Sequence, residues 1–337
     1  MDSNIIDFAA FPRGTDTDRQ SVAESLVNGL KNNGFVSLTN PGFPDDATSD
    51  YLKLAIDFFS LSHSAKMKAF GVPGPRPQRG FGAVGQERTA KHRKENLTGH
   101  DSWDKLKDER EYFDMGPPED LEFPNVWPDE ADIPGFRRRM ESYWNMFEDV
   151  ALQIISAIEM GLGLPPNALM ARCRPSTGEL RMNHYPSVSL ETLAKGEIKR
   201  TWPHVDLGVI TLLIQDTVGG LEIADIGQGS PENPSFVAVE PRGNGTKVNV
   251  VLMVGATLQR WTNGLLPGTL HQVSLPAPMR QQRNGDCPER FSGAFFLKAN
   301  KSASVAPLEQ FITSEQPVVW DNMSALEFTK RMVEQLY

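Results

Sequence analysis

Hydrophobic residues in the first half of the chain recur every three to four positions, a spacing typical of helices that bury one face. This spacing predicts three helices, over residues 21–33, 51–70 and 134–160. Two short apolar runs, at residues 4–8 and 35–38, predict strands. The stretch 71–135 is rich in Pro, Gly and charged residues, so we expect it to be mostly loop.

From about Leu180 the pattern changes to short apolar and β-branched runs separated by Gly, Pro and Asn. Evenly spaced runs without helices between them predict antiparallel strands in two sheets, as a sandwich or barrel. The predicted strands cover residues 180–185, 208–214, 220–223, 235–239, 247–254, 269–274 and 290–297.

Helical spacing returns in the tail, between Ser324 and Tyr337, where Leu326, Phe328, Met332 and Leu336 are apolar. We therefore expect an α+β protein that is mainly β, forming one integrated domain. A helix-rich region, 1–175, would pack on a β core, 176–300, and a helical tail, 301–337, would follow. The tail helix is expected to cover the mouth of the core.

Composition narrows the class of protein. The 337 residues are 39% hydrophobic, which excludes a disordered chain, and a net charge of −9 disfavours nucleic acid as a partner. No apolar run approaches the about 18–20 residues that cross a bilayer, so we expect no membrane partner. The only cysteines, Cys173 and Cys287, predict a reducing compartment. We expect a cytoplasmic protein that is a monomer or a weak homodimer.

One group of residues suggests a metal site. In an extended segment, His204 and Asp206 would share a face, and His271 lies 67 residues further on in a strand-like run. Two histidines and one carboxylate are the ligand set of non-haem Fe(II) oxygenases, in which three coordination positions stay open. A hydrogen-bonded structural histidine is the alternative interpretation of His271.

A second group suggests a carboxylate pocket. Arg290 and Ser292 would share one face of a strand, and a guanidinium beside a hydroxyl can hold a carboxylate. Arg181, Asn183 and Tyr185 would share the polar face of another strand, whereas His184 would point away from it. A surface arginine is the alternative for Arg290.

Taken in order, these motifs resemble those of the isopenicillin N synthase-like family of 2-oxoglutarate/Fe(II)-dependent oxygenases, above all its fungal and bacterial members. The resemblance covers nearly the whole chain. It is carried by Ile6-Asp7-Phe8, Gly34-Phe-Val-Ser-Leu38, Asn183-His-Tyr-Pro186, His204-Val-Asp206, Gly219-Gly-Leu-Glu222, Thr269-Leu-His271-Gln-Val273 and Glu289-Arg290-Phe-Ser292.

The resemblance implies a double-stranded β-helix (jelly-roll) core and a dioxygenase that oxidises a C–H bond of a small molecule with Fe(II), 2-oxoglutarate and O₂, in secondary metabolism. It implies that His204, Asp206 and His271 hold the iron. It also implies that 2-oxoglutarate chelates the iron, with its distal carboxylate on Arg290, Ser292 and Tyr185 and with Asn183 beside it. Phe81, Tyr112, Phe113, Arg181 and Phe295 are candidate substrate-pocket residues, and Arg181 favours a polar, anionic substrate.

Three other functions are compatible with these residues. An oxidase of the same fold would take all four electrons from its own substrate and use no 2-oxoglutarate. A zinc hydrolase would use the same three ligands, and a jelly-roll binding protein would have no catalytic role. The outcome of a dioxygenase reaction, whether hydroxylation, desaturation or ring rearrangement, is not determined by these motifs.

Overall fold

The computed structural model describes residues 4–74, 76–93, 106–196, 198–230, 233–243 and 248–334. An eight-stranded sheet, called here the main sheet, runs through the middle of the fold. Its strands, in spatial order, are Ile5–Asp7, Phe35–Thr39, Val250–Val254, Ile210–Gln215, Arg290–Leu297, Glu179–Tyr185, Glu111–Met115 and Gly80–Gly82. All neighbours pair antiparallel except Ile5–Asp7, which pairs parallel to Phe35–Thr39.

A second, four-stranded sheet, the minor sheet, contains Pro234–Ala238, Leu221–Gly229, His271–Val273 and Thr201–His204 in that order. Leu221 and Ile223 of this sheet pack in one apolar cluster with Leu213, Val251 and Met253 of the main sheet. The two sheets therefore face each other, as expected for a jelly roll. Two short ladders join Val188–Ser189 to Asp286–Cys287 and Lys107–Asp108 to Ile198–Lys199.

Helices cover the other face of the main sheet. Leu212, Phe295 and Met182 point into this layer and join a large apolar cluster with the helices Asp16–Asn33, Ala47–Phe59 and Phe136–Gly161. Shorter helices are Ala10–Arg13, His63–Met67, Met170–Cys173, Leu190–Ala194, Ala256–Trp261 and Ala325–Val333, with 3₁₀ turns at Thr89–Arg93, Ala277–Met279 and Glu309–Phe311. The α+β prediction is confirmed.

Several boundaries differ from those predicted. The first long helix begins at Asp16, not Ser21, because Thr15 and Asp18 form a capping box before it. The helix predicted over 51–70 is two helices, Ala47–Phe59 and His63–Met67. Within 71–135, predicted as loop, Gly80–Gly82 and Glu111–Met115 extend the main sheet.

The tail follows the predicted pattern over the part that the structure describes. Ser324 caps the helix Ala325–Val333 through a capping box with Glu327, and Phe328 and Val333 are buried. Leu336 lies outside the described residues. None of the helices described here is both long enough and apolar enough to span a bilayer.

Candidate active site

Three metal-binding side chains meet where the minor sheet faces the main sheet. His204 ends one strand and is the cross-strand partner of His271, while Asp206 follows two residues after His204. One ligand atom of each residue lies within 4.8 Å of the others. The Asp206 carboxylate oxygens lie 3.5 Å from His204 Nε2 and 3.9 Å from His271 Nε2.

Backbone carbonyls orient both imidazoles of this trio. His204 Nδ1–H donates to the Trp202 carbonyl at 2.8 Å, and His271 Nδ1–H donates to the Thr269 carbonyl at 2.9 Å. Each ring therefore turns its Nε2 lone pair towards Asp206, the tautomer that a metal-binding histidine needs. The Thr211 hydroxyl donates to Asp206 Oδ2 at 2.6 Å and holds the carboxylate in place.

The titration of Asp206 and His271 also suits a metal site. Burial would raise the pKa of Asp206, but the facing His271 and His204 outweigh burial and hold that pKa well below its usual value. Burial, together with the neighbouring His204, lowers the pKa of His271 to about 4. Near neutral pH, Asp206 is thus an anion and His271 is neutral, the forms that bind metal.

The predicted carboxylate pocket lies on adjacent strands of the main sheet. Arg290 pairs with Tyr185 and Ser292 pairs with Asn183 in the register between Arg290–Leu297 and Glu179–Tyr185. Asn183 Nδ2 donates to Ser292 Oγ at 3.3 Å, and the Arg290 guanidinium lies 4.8 Å from the centre of the Tyr185 ring. The structure thus brings all four residues together.

Arg290 is fully buried, yet part of its guanidinium has no partner among the residues that the structure describes. Nη2 donates to Gln215 Oε1 at 3.0 Å, whereas Nε and Nη1 make no hydrogen bond to the described residues. Such unsatisfied buried donors are costly unless a ligand accepts from them. Two imidazoles and a carboxylate suit Fe(II), and the free donors of Arg290 suit the carboxylate of 2-oxoglutarate, so the residues present fit both groups.

Three charged residues, Glu87, Arg110 and Arg181, line one cavity together with the metal-binding trio. They form ion pairs, most of which the sequence analysis missed. Arg181 donates to both oxygens of Asp114 at 2.7 Å and to Glu87 at 2.9 Å. Arg110 also donates to Glu87 and lies 3.8 Å from Asp108. Arg181 lines the cavity as predicted. Its charge is already matched by the carboxylates of Asp114 and Glu87, so Arg181 by itself gives no reason to expect an anionic substrate.

Three of the predicted substrate-pocket residues are not in the cavity wall. Phe81, Phe113 and Phe295 are fully buried in the apolar layer between the main sheet and the helices. Phe295 packs on Trp144 and Phe147 there, at ring-centre distances of 5.9 and 6.0 Å. The prediction is wrong because successive strand residues face opposite sides, so the residue after Phe295 faces the cavity.

That residue, Phe296, does line the cavity, and the alternation from Arg290 through Ser292 and Ala294 would have identified it. Tyr112 lies on the cavity side of its strand, opposite Asn183, with the Arg181 guanidinium 4.3 Å from its ring centre. His184 points away as predicted. It stacks on Phe291 and contacts Glu111 at 2.7 Å.

No local sequence signal identifies Gln215, Glu87 or Arg110, because their partners Arg290, Arg181 and Glu87 are 75, 94 and 23 residues away in the chain. Thr211 is only five residues from its partner Asp206 and was also missed. The tail helix also reaches the cavity, since Thr329 and Val333 are among its lining residues.

Two family models match the chain. Residues 4–130 match the family described as "non-haem dioxygenase in morphine synthesis N-terminal", and residues 177–299 match the "2OG-Fe(II) oxygenase superfamily". The 2-oxoglutarate-dependent dioxygenase imqE of Aspergillus flavus is 39% identical, over 98% of this chain and 94% of that protein. The 2-oxoglutarate-dependent dioxygenase phqC of Penicillium fellutanum is 38% identical, over 99% of this chain and 94% of that protein.

A similar solved structure is that of a full-length Neurospora crassa protein in complex with alpha-KG and thymine. It aligns with a TM-score of 0.83 and 25% identity, over 98% of this chain and 95% of that one.

Proposed function

This chain belongs to the 2-oxoglutarate/Fe(II)-dependent oxygenases, and we propose that it oxidises a C–H bond of a small molecule in secondary metabolism. It has the jelly-roll core of that family and requires Fe(II), 2-oxoglutarate and O₂. The observation that carries the site assignment is the His204–Asp206–His271 trio, together with the unsatisfied donors of Arg290 next to Tyr185, which lines the same cavity as the trio.

In our proposal His204, Asp206 and His271 hold the iron. Together with 2-oxoglutarate and O₂, bound Fe(II) supplies an oxidation in which 2-oxoglutarate becomes succinate and CO₂ and a substrate C–H bond is oxidised. The carbonyls of Trp202 and Thr269 fix the imidazoles before the metal arrives, and Thr211 fixes the carboxylate. The site is therefore preorganised and needs little rearrangement on binding.

Arg290, Ser292 and Tyr185 bind the distal carboxylate of 2-oxoglutarate, with Asn183 beside the cosubstrate. Burial would raise the pKa of Tyr185, but the charges of Arg290 and Arg110 outweigh burial and lower it. A phenol with a lowered pKa is a stronger hydrogen-bond donor to a carboxylate. Gln215 holds one side of the guanidinium, which leaves its other N–H groups for the ligand.

The experiment that tests this function measures succinate and product together in the purified protein, with and without 2-oxoglutarate. The proposal predicts one succinate per product, loss of turnover without iron, and loss of metal binding when His271 or Asp206 is replaced by Ala. Product formed from O₂ without 2-oxoglutarate would instead identify the four-electron oxidase. Full activity of His271→Ala would refute the ligand assignment.

The proposal extends to the assembly and location of the enzyme. Proteins of this fold bind small molecules, as the Neurospora crassa protein binds thymine. We propose a single integrated domain, acting as a monomer or weak homodimer in the cytoplasm, without a nucleic-acid partner. The buried, unpaired Cys173 and Cys287 support a reducing compartment. Light scattering and cell fractionation test these points.

A further inference from the structure

Arg110 occupies a distinctive position in the cavity. It lines the wall of the cavity together with His204, Asp206 and His271. Its side chain is only 6% exposed. Nothing in the sequence singled it out, because Arg110 precedes a strand in a stretch predicted as loop.

Arg110 differs from Arg181 in that one of its hydrogen-bond donors has no partner among the described residues. Arg181 donates from all three guanidinium nitrogens, to Asp114, Glu87 and Gln78. Arg110 donates from Nη2 to Glu87, but its Nε is buried and makes no hydrogen bond within the described part of the chain. A buried N–H group without an acceptor, on a residue that lines the cavity of the metal trio, is a natural contact for a polar atom of the substrate.

The charges around Arg110 restrict which kind of substrate atom its Nε–H group can bind. Among the described residues, Arg110 and Arg181 face three carboxylates, those of Glu87, Asp108 and Asp114. Lys298, the remaining cation in the cavity wall, is paired with Glu179 at 2.9 Å. Fe(II) and Arg290 are balanced by Asp206 and the dianion of 2-oxoglutarate. The described part of the cavity thus holds no surplus positive charge for an anionic substrate.

From this arrangement we propose that Arg110 binds the substrate through its free Nε–H, and that the group it binds is a neutral carbonyl, as in an amide or lactam. The inference rests on the proposed function, because it takes the cavity as the substrate site. A carbonyl oxygen satisfies the free donor without adding charge. A carboxylate at the same place would be buried next to the carboxylates of Glu87 and Asp108, which is unfavourable.

The first test compares isosteric probes that differ only in charge. N-acetyl-L-prolinamide is paired with N-acetyl-L-proline, and phenylacetamide with phenylacetate. Each is titrated anaerobically into the Fe(II)- and 2-oxoglutarate-loaded enzyme, and the perturbation of the visible charge-transfer band gives the Kd. We expect the amides to bind at least about 10-fold more tightly than their carboxylates, as one uncompensated charge requires.

The second test uses Arg110 variants. Arg110→Gln should weaken amide binding by about 10- to 100-fold, the range for a lost hydrogen bond to a charged group. Arg110→Lys keeps the positive charge beside Glu87 and Asp108 but has no N–H at the Nε position, so it should not restore amide binding. If Arg110 served only to balance charge, Lys would restore it. Arg137→Gln, an exposed arginine on the long helix, is the matched control.

Four results would overturn the inference. They are carboxylates that bind as tightly as amides, amide binding unchanged in Arg110→Gln, full recovery in Arg110→Lys, and absence of amide binding up to about 10 mM in an enzyme that binds 2-oxoglutarate. An enzyme that fails to bind 2-oxoglutarate at all would instead contradict the proposed function. The melting temperature of each variant checks that it is folded.

Discussion

Replacing Arg290 tests the assignment of the cosubstrate pocket most directly. The guanidinium is fully buried, one nitrogen is held by Gln215, and the other two have no partner in the described ranges of the chain. If these two donate to the distal carboxylate of 2-oxoglutarate, Arg290→Gln removes a charge-assisted pair and leaves a carboxylate buried without its counter-ion. Breaking such a pair costs about 2–4 kcal/mol, which corresponds to a roughly 30- to 1,000-fold rise in Kd.

Arg290→Lys should recover only part of the affinity. The ammonium restores the charge, but it cannot keep the hydrogen bond to Gln215 and offer two parallel donors to a carboxylate at the same time. Both variants are compared by anaerobic titration of the Fe(II)-loaded protein with 2-oxoglutarate, followed by the visible charge-transfer band of the chelate. Arg137→Lys, on an exposed helix surface, serves as the matched control.

Wild-type affinity in Arg290→Lys would show that the bidentate contact does not form. Wild-type affinity in Arg290→Gln would refute the pocket assignment altogether. A loss of metal binding in either variant would point to a collapse of the site instead, so metal affinity is measured in parallel.

Further predictions concern packing, pH and the tail. Phe295→Ala should lower the free energy of unfolding, measured by chemical denaturation, by about 3–5 kcal/mol because Phe295 is in the core. Phe296→Ala should lower it by less but should weaken substrate binding in turnover assays, because Phe296 lines the cavity. Burial opposes the charged form of His204, but its hydrogen bond to Asp206 outweighs burial and raises its pKa. Because protonated imidazole cannot bind metal, the affinity for Co(II) should rise with pH until the pH exceeds the pKa of His204. An affinity that does not change with pH on the acid side would contradict this. Deleting 324–337 removes Thr329 and Val333 from the cavity wall, so 2-oxoglutarate consumption should rise relative to product; unchanged coupling would argue against a covering role.

Much of the site could be predicted because strand residues alternate. The alternation places Arg290 with Ser292 and Asn183 with Tyr185, and the cross-strand register then joins the two pairs. The same rule excludes adjacent residues from a common face, so Tyr112 and Phe113 could not both line the cavity. Large aromatic side chains near a catalytic motif suggested a pocket, but their size suits the core equally well.

Other features have no local signature. Gly80–Gly82 and Glu111–Met115 are strands because they pair with each other and with Glu179–Tyr185, not because of their own apolar pattern. Glu87 and Arg181 are 94 residues apart in sequence and meet only in the folded chain. The presence of the long helices was predicted more reliably than their ends. The first helix begins about one turn earlier than predicted, because the capping box lies at Thr15.

The order of strands in the main sheet has a consequence for how the chain is made. Arg290–Leu297 lies between Ile210–Gln215 and Glu179–Tyr185, yet it is the last strand of this sheet to leave the ribosome. Until it arrives, its two neighbours present facing edges with unpaired backbone groups, which are sites of aggregation. The strand that carries Arg290 and Ser292 therefore also closes the sheet, and during synthesis the nascent enzyme gains its cosubstrate pocket and protection of these edges in the same step.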